Sequence, residues 1–141
     1  GSGMNWKIAG LILLAGSAVA ADLLRSPSPA GAELYFISPQ DGATLANPVT
    51  VRFGLKGMGI APAGIAMENT GHHHLLIDAE LPPLDRPVPA DAQHVHFGKG
   101  QTEAVVTLAP GTHRLQLLLG DHLHLPHAPP VVSEPITITV R

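Results

Sequence analysis

At 141 residues, with no cysteine and a formal net charge of −3 from 8 basic and 11 acidic side chains, the chain is sized for one domain that must hold its core without disulfides. No basic run and no aromatic stacking platform is present, which excludes nucleic-acid binding as the main task. Thiol nucleophiles and thiolate ligands are excluded outright, so a bound metal would sit on nitrogen, oxygen or thioether sulfur, not in a structural zinc knuckle.

Gly1-Ser2-Gly3 reads as a cloning remnant ahead of Met4. Residues 4–20 have the form of a secretory signal peptide: Lys7 supplies the basic start, residues 8–14 a short apolar run, and Ala18-Val19-Ala20 a small-x-small cleavage pattern. The mature chain is then expected to begin at Ala21 in the periplasm. The apolar run is shorter than the roughly 20 residues of a spanning helix. Membrane attachment is therefore expected only through an uncleaved signal segment. Residues 21–32 are rich in Pro, Ser and Ala and predict a flexible tether. The folded domain is expected over 33–141.

That domain is written in short apolar or alternating runs broken by Gly, Pro, Asn and Asp, the signature of an all-β chain. Residues 34–37 predict a first strand, closed by the turn Ser38-Pro39-Gln40-Asp41-Gly42. Residues 48–55 alternate, with Val49, Val51, Phe53 and Leu55 on one face and Thr50, Arg52 and Gly54 on the other. Residues 57–71 are loop-like, 72–78 form the third strand, and 81–92 carry four prolines that bar a strand interior. Strands follow at 94–97 and 101–108. Residues 113–119 form the strongest, with Leu115, Leu117 and Leu119 on one face; 136–140 form the last. About seven short strands predict an immunoglobulin-like β-sandwich, with a small Greek-key barrel as the alternative.

Eight of the nine histidines fall in three clusters: His72-His73-His74, His94-Val95-His96, and His122-Leu123-His124-Leu125-Pro126-His127. Imidazole is the commonest protein metal ligand and the side chain that titrates nearest neutrality. Adding nine positive charges to −3 gives +6, so the charge of the chain responds strongly to pH between about 5 and 7. Strand alternation puts His73 with Leu75 and Ile77 on the core side and points His72 and His74 outward together, at a spacing that can chelate one ion. His94 and His96 repeat that spacing, as do His122 and His124 if their stretch is extended. Pro126 sets a bend from which His127 can return. A triplet of histidines in mid-chain is not a terminal tag. The isolated His113 continues the leucine row and is expected to be packed or hydrogen-bonded.

The candidate metal residues are thus His72, His74, His94, His96, His122, His124 and His127, with Asp121 as a ligand or as a carboxylate that orients an imidazole. Neutral imidazoles without thiolate favour copper first and zinc second. Met58 and Met67 are available should copper(I) recruit thioether sulfur, and Glu68 and Asp78 are weaker ligand candidates. Calcium is disfavoured, because no run of carboxylates has loop spacing. No His-Glu-x-x-His or Gly-x-Ser-x-Gly motif supports an enzyme.

Taken in order, Glu68-Asn69-Thr70-Gly71-His72-His73-His74-Leu75-Leu76-Ile77-Asp78, then His96-Phe97-Gly98-Lys99-Gly100-Gln101-Thr102-Glu103, then Leu118-Leu119-Gly120-Asp121-His122 leading into His124, Pro126 and His127, resemble a bacterial family of small exported His-rich domains of unknown function. The resemblance spans about 38–140. It implies a periplasmic domain marked by histidine and no established activity. Gly98-Lys99-Gly100-Gln101 lacks the spacing of a phosphate loop and reads as a turn. The expectation is a periplasmic protein that buffers, delivers or senses a transition metal, with an envelope metalloprotein or transporter as partner. The competing expectation is a metal-free module whose histidine surface switches with pH to bind an anionic ligand or a partner protein.

Overall fold

The alternating run that begins at Val49 buries Val49, Val51 and Phe53 and leaves Arg52 exposed. A pleated strand with one apolar face has to lay that face on another sheet. A computed structural model describes residues 24–141 and shows the outcome. The expected cloning remnant, the signal segment and residues 21–23 lie outside the described residues. Nine strands follow in order: β1 (Glu33–Ser38), β2 (Thr44–Leu45), β3 (Val49–Lys56), β4 (Gly59–Ile60), β5 (Thr70–Ile77), β6 (His94–His96), β7 (Glu103–Val106), β8 (Gly111–Gly120) and β9 (Ile136–Val140). No helix occurs among the described residues. The seven longer strands fall at the expected places, and the two-residue β2 and β4 are additions.

One sheet has the order β1-β3-β7 and the other β2-β9-β8-β5-β4, with β6 also on β5. Taking β1, β3, β5, β6, β7, β8 and β9 as strands A, B, C, C′, E, F and G gives A-B-E facing G-F-C-C′, the immunoglobulin-like arrangement. β2 joins β9 in parallel at the margin. The sheets do not close on each other, so the Greek-key barrel is not the fold.

The core lies between the sheets. Val49, Val51 and Phe53 from β3 meet Leu75, Leu115, Leu117, Leu119 and Ile138 from the second sheet. His73 stands in this layer, fully buried, with its ring centroid 4.8 Å from that of Phe53. The expected row of His73, Leu75 and Ile77 is therefore the core row. The other row differs from expectation. His72 and His74 point away from the core, yet each is only 1% exposed. The reason is a second covering layer. The turns after β8 and the proline-rich segment after β5 fold over this outer face, joined by a hydrogen bond from Val88 N to His124 O, 2.9 Å. Both faces of β5 are buried as a result.

Residues 24–32, expected to be a flexible tether, are instead tied along that covering loop. Arg25 donates to the carbonyls of Pro126 and His127. Ser28 N donates to Ala128 O, and Ala128 N to Ser26 O. Backbone hydrogen bonding, which composition alone does not reveal, fixes this segment.

Candidate metal centre

Directly opposed residues of an antiparallel pair project to the same side of a sheet. β5 and β8 oppose His72 to Gly120 and His74 to Leu118. β5 and β6 oppose His74 to His96 and Leu76 to His94. One face therefore carries His72, His74 and His96 in adjacent places, with a glycine where a fourth side chain would stand. The register, not the bare i, i+2 spacing, gathers these rings.

The fourth ring arrives from the turn after β8. Asp121, 3% exposed, accepts hydrogen bonds at Oδ1 from Leu123 N (2.8 Å) and Leu125 N (3.1 Å), and at Oδ2 from Ser26 Oγ (2.7 Å). His124 N donates to Asp121 O, and Asp121 N to Leu125 O, each at 2.9 Å. The chain folds back so tightly that His124 takes φ +63°, a left-handed conformation costing a non-glycine residue on the order of 1 kcal/mol. That strain sits on a residue whose ring is aimed at the cluster.

The geometry is that of a donor set. The His124 ring stands edge-on to His72 (centroids 4.8 Å, 90°), to His96 (5.3 Å, 82°) and to His74 (5.6 Å, 85°). His72 and His74 lie 4.6 Å apart. One ligand nitrogen from each of His72, His74 and His124 falls within 4.8 Å of the others. His72 Nε2 and His124 Nδ1 are 3.0 Å apart. Two nitrogens bound at 2.0–2.1 Å to one tetrahedral ion would be about 3.3 Å apart, so the pair needs little movement to share one.

Electrostatics prepares the same rings. Burial, reinforced by the neighbouring imidazoles, pushes His72 down to about 4 and His74 down to about 2. Burial first, then His96, lowers His124 as well. All three are neutral at pH 7, the form that ligates. Among the described residues, His72 Nδ1 and both nitrogens of His74 are buried without a hydrogen-bond partner. Each such group costs about 1–3 kcal/mol if nothing satisfies it.

The other expected site residues go elsewhere. His94 shares the face but stands opposite Leu76, and its Nδ1 pairs with Asp91 Oδ1 at 2.7 Å. His122 does not align with His124, because the stretch is a turn and not extended. It lines a surface cavity with His127 and Met67. His127 is buried and donates from Nε2 to Thr70 O at 3.1 Å, outside the three-ring group. Asp121 makes no hydrogen bond to an imidazole among the described residues; its oxygens accept from the turn and from Ser26. Met58 packs on the core, Met67 is 64% exposed, and Glu68 is exposed beside the same cavity. Asp78 pairs with His113, which is hydrogen-bonded as expected: Nδ1 lies 2.7 Å from Asp78 Oδ2 and Nε2 2.7 Å from Ala109 O. What sequence reading missed was the turn. Its signal was present as Gly-Asp before His122, an Asx-turn composition.

The fold and the site together define an all-β sandwich with a buried histidine cluster that can hold a metal ion. The chain belongs to the family described as domain of unknown function DUF4399, which matches residues 51–141. The matched stretch runs from within β3 to the last residue and includes every histidine discussed. No curated protein and no solved structure matches the chain.

Proposed function

We propose that this domain binds one divalent transition metal ion through His72, His74 and His124, copper(II) in first place and zinc(II) in second. The observation that carries the reading is the state of the buried rings. They are neutral at pH 7, their ligand atoms converge within 4.8 Å, and both nitrogens of His74 are buried with no hydrogen-bond partner among the described residues. Nitrogen-only donors suit copper(II) and zinc(II), and copper(II) heads the usual affinity order for such sites. The signal-like segment at 4–20 supports a periplasmic setting, where the protein would buffer, deliver or sense the ion and exchange it with an envelope metalloprotein or transporter. The pH-switched surface has less support, since His72 and His74 are buried and an anionic partner could not reach them.

The test is elemental analysis of protein isolated from the periplasm, followed by titration with copper(II) and zinc(II) under thermal unfolding. One ion per chain is expected, with stabilisation of about 2.7 kcal/mol at a free-metal concentration 100 times Kd. No uptake and no shift with either ion would overturn the reading.

A further inference from the structure

His96 differs from the other three rings in being exposed, whereas His72 and His74 are buried and His124 is half-buried. It stands directly opposite His74 across the β5–β6 pair, so the two rings share a face. Its centroid is 5.3 Å from that of His124 and 6.2 Å from that of His74. Gly98 keeps room beside it: a Cβ there would lie 3.2 Å from His96 Cδ2 and 3.3 Å from the Cβ of Ala63. β6 is only three residues long and, among the described residues, pairs in the sheet with β5 alone.

Three imidazoles leave a four-coordinate ion, tetrahedral zinc(II) or square-planar copper(II), with a fourth position. The buried rings of His72 and His74 cannot be reached by a competing ligand, so an incoming donor must approach from the side that His96 occupies. We propose that His96 is the exchangeable fourth ligand of the site, and that its displacement is the step by which metal enters and leaves. This rests on the metal reading above. In the exchange the metal–imidazole bond of His96 breaks, the lone pair of the incoming donor forms the new bond, and the freed ring returns to solvent; no electron changes hands. His72, His74 and His124 then set affinity, and His96 sets the rate of transfer.

The test uses the full chain loaded with one copper(II), for wild type, His96→Ala, His96→Gln, His74→Ala and the same-face control His94→Ala. Each is mixed with excess EDTA, and copper(II) transfer is followed by stopped-flow absorbance, with nitrogen ligands counted by electron paramagnetic resonance. Both His96 variants should retain one copper but lose one nitrogen from the spectrum and release the ion at least about tenfold faster, given that losing even a residue that merely orients a ligand costs 10–100-fold in affinity. Free imidazole should restore the fourth nitrogen and slow release in His96→Ala, because that position is open to solvent. It should not rescue His74→Ala, and His94→Ala should match wild type. Wild-type spectra and release rates in the His96 variants, or copper loss as complete as in His74→Ala, would overturn the role. A wild type that takes up no copper would instead overturn the metal reading, and this role with it.

Discussion

Gly120 and His74 share one space: a Cβ on Gly120 would lie 2.7 Å from His74 Nε2 and 3.1 Å from its Cδ2. The glycine ends β8 opposite His72, so its missing side chain makes the hollow into which the neighbouring imidazole folds. A residue that looks like a strand terminator in the sequence is thus part of how the ligand nitrogens converge.

Gly120→Ala should therefore damage the site from outside it. The added methyl must displace the His74 ring, and the backbone of His124 at 3.4 Å blocks escape on another side. Overpacking of this kind costs about 1–3 kcal/mol. Copper affinity should fall at least about tenfold, as for loss of a residue that orients a ligand. Urea unfolding with parallel copper titrations would check both effects. Full affinity at native stability would show that the ring does not need that hollow.

Without metal, the fold should weaken on acidification. His72, His73 and His74 have native pKa values pushed below the usual 6.5 by burial, His73 to about 4. Below pH 6.5 the unfolded chain binds protons that the native chain refuses, so stability is lost as pH falls from 6.5 toward 4. For His73 alone the loss is on the order of 3 kcal/mol, a large part of a typical 5–15 kcal/mol. His73→Leu should raise stability by about 1–3 kcal/mol at pH 7, because both ring nitrogens are buried without a partner. It should also move the acid midpoint down while leaving copper binding unchanged, since His73 faces the core. Denaturant midpoints between pH 4 and 8 would decide. An acid midpoint that ignores the substitution would contradict the account.

His113 carries the opposite sign. Its two nitrogens face the Ala109 carbonyl and the Asp78 carboxylate, each at 2.7 Å, which favours the doubly protonated ring and raises its pKa. Its contribution is complete below pH 6.5 and disappears as pH rises through the raised native value. His113→Gln should thus destabilise more at pH 6 than at pH 9, with copper affinity unaltered. An equal loss at both pH values would mean that the pair is not ionic.

The sandwich was largely legible, because alternation in β3, β8 and β9 is a local property of the chain. The core row of β5 was legible for the same reason: His73 lies in step with Leu75 and Ile77. Much of the candidate site was not. His94 and His96 have identical spacing to His72 and His74, yet only His96 meets them, because the β5–β6 register sets His94 against Leu76. Register is a long-range property that spacing does not encode. His122 and His124 looked like a strand pair, but Asp121 winds them into a turn held by side-chain hydrogen bonds. The burial of His72 and His74 depends on loops tens of residues away, and on Ser26 reaching Asp121 across 95 positions.

The claim that His72, His74 and His124 bind one ion is tested most directly by a crystal structure of the copper-loaded or zinc-loaded protein, with the anomalous signal of the metal measured. A single strong peak is expected between these three rings, at about 2.0–2.1 Å from each nitrogen when the ion is zinc. A peak at His94, at His122 or beside His127, or none at all in protein shown to carry stoichiometric metal, would contradict it.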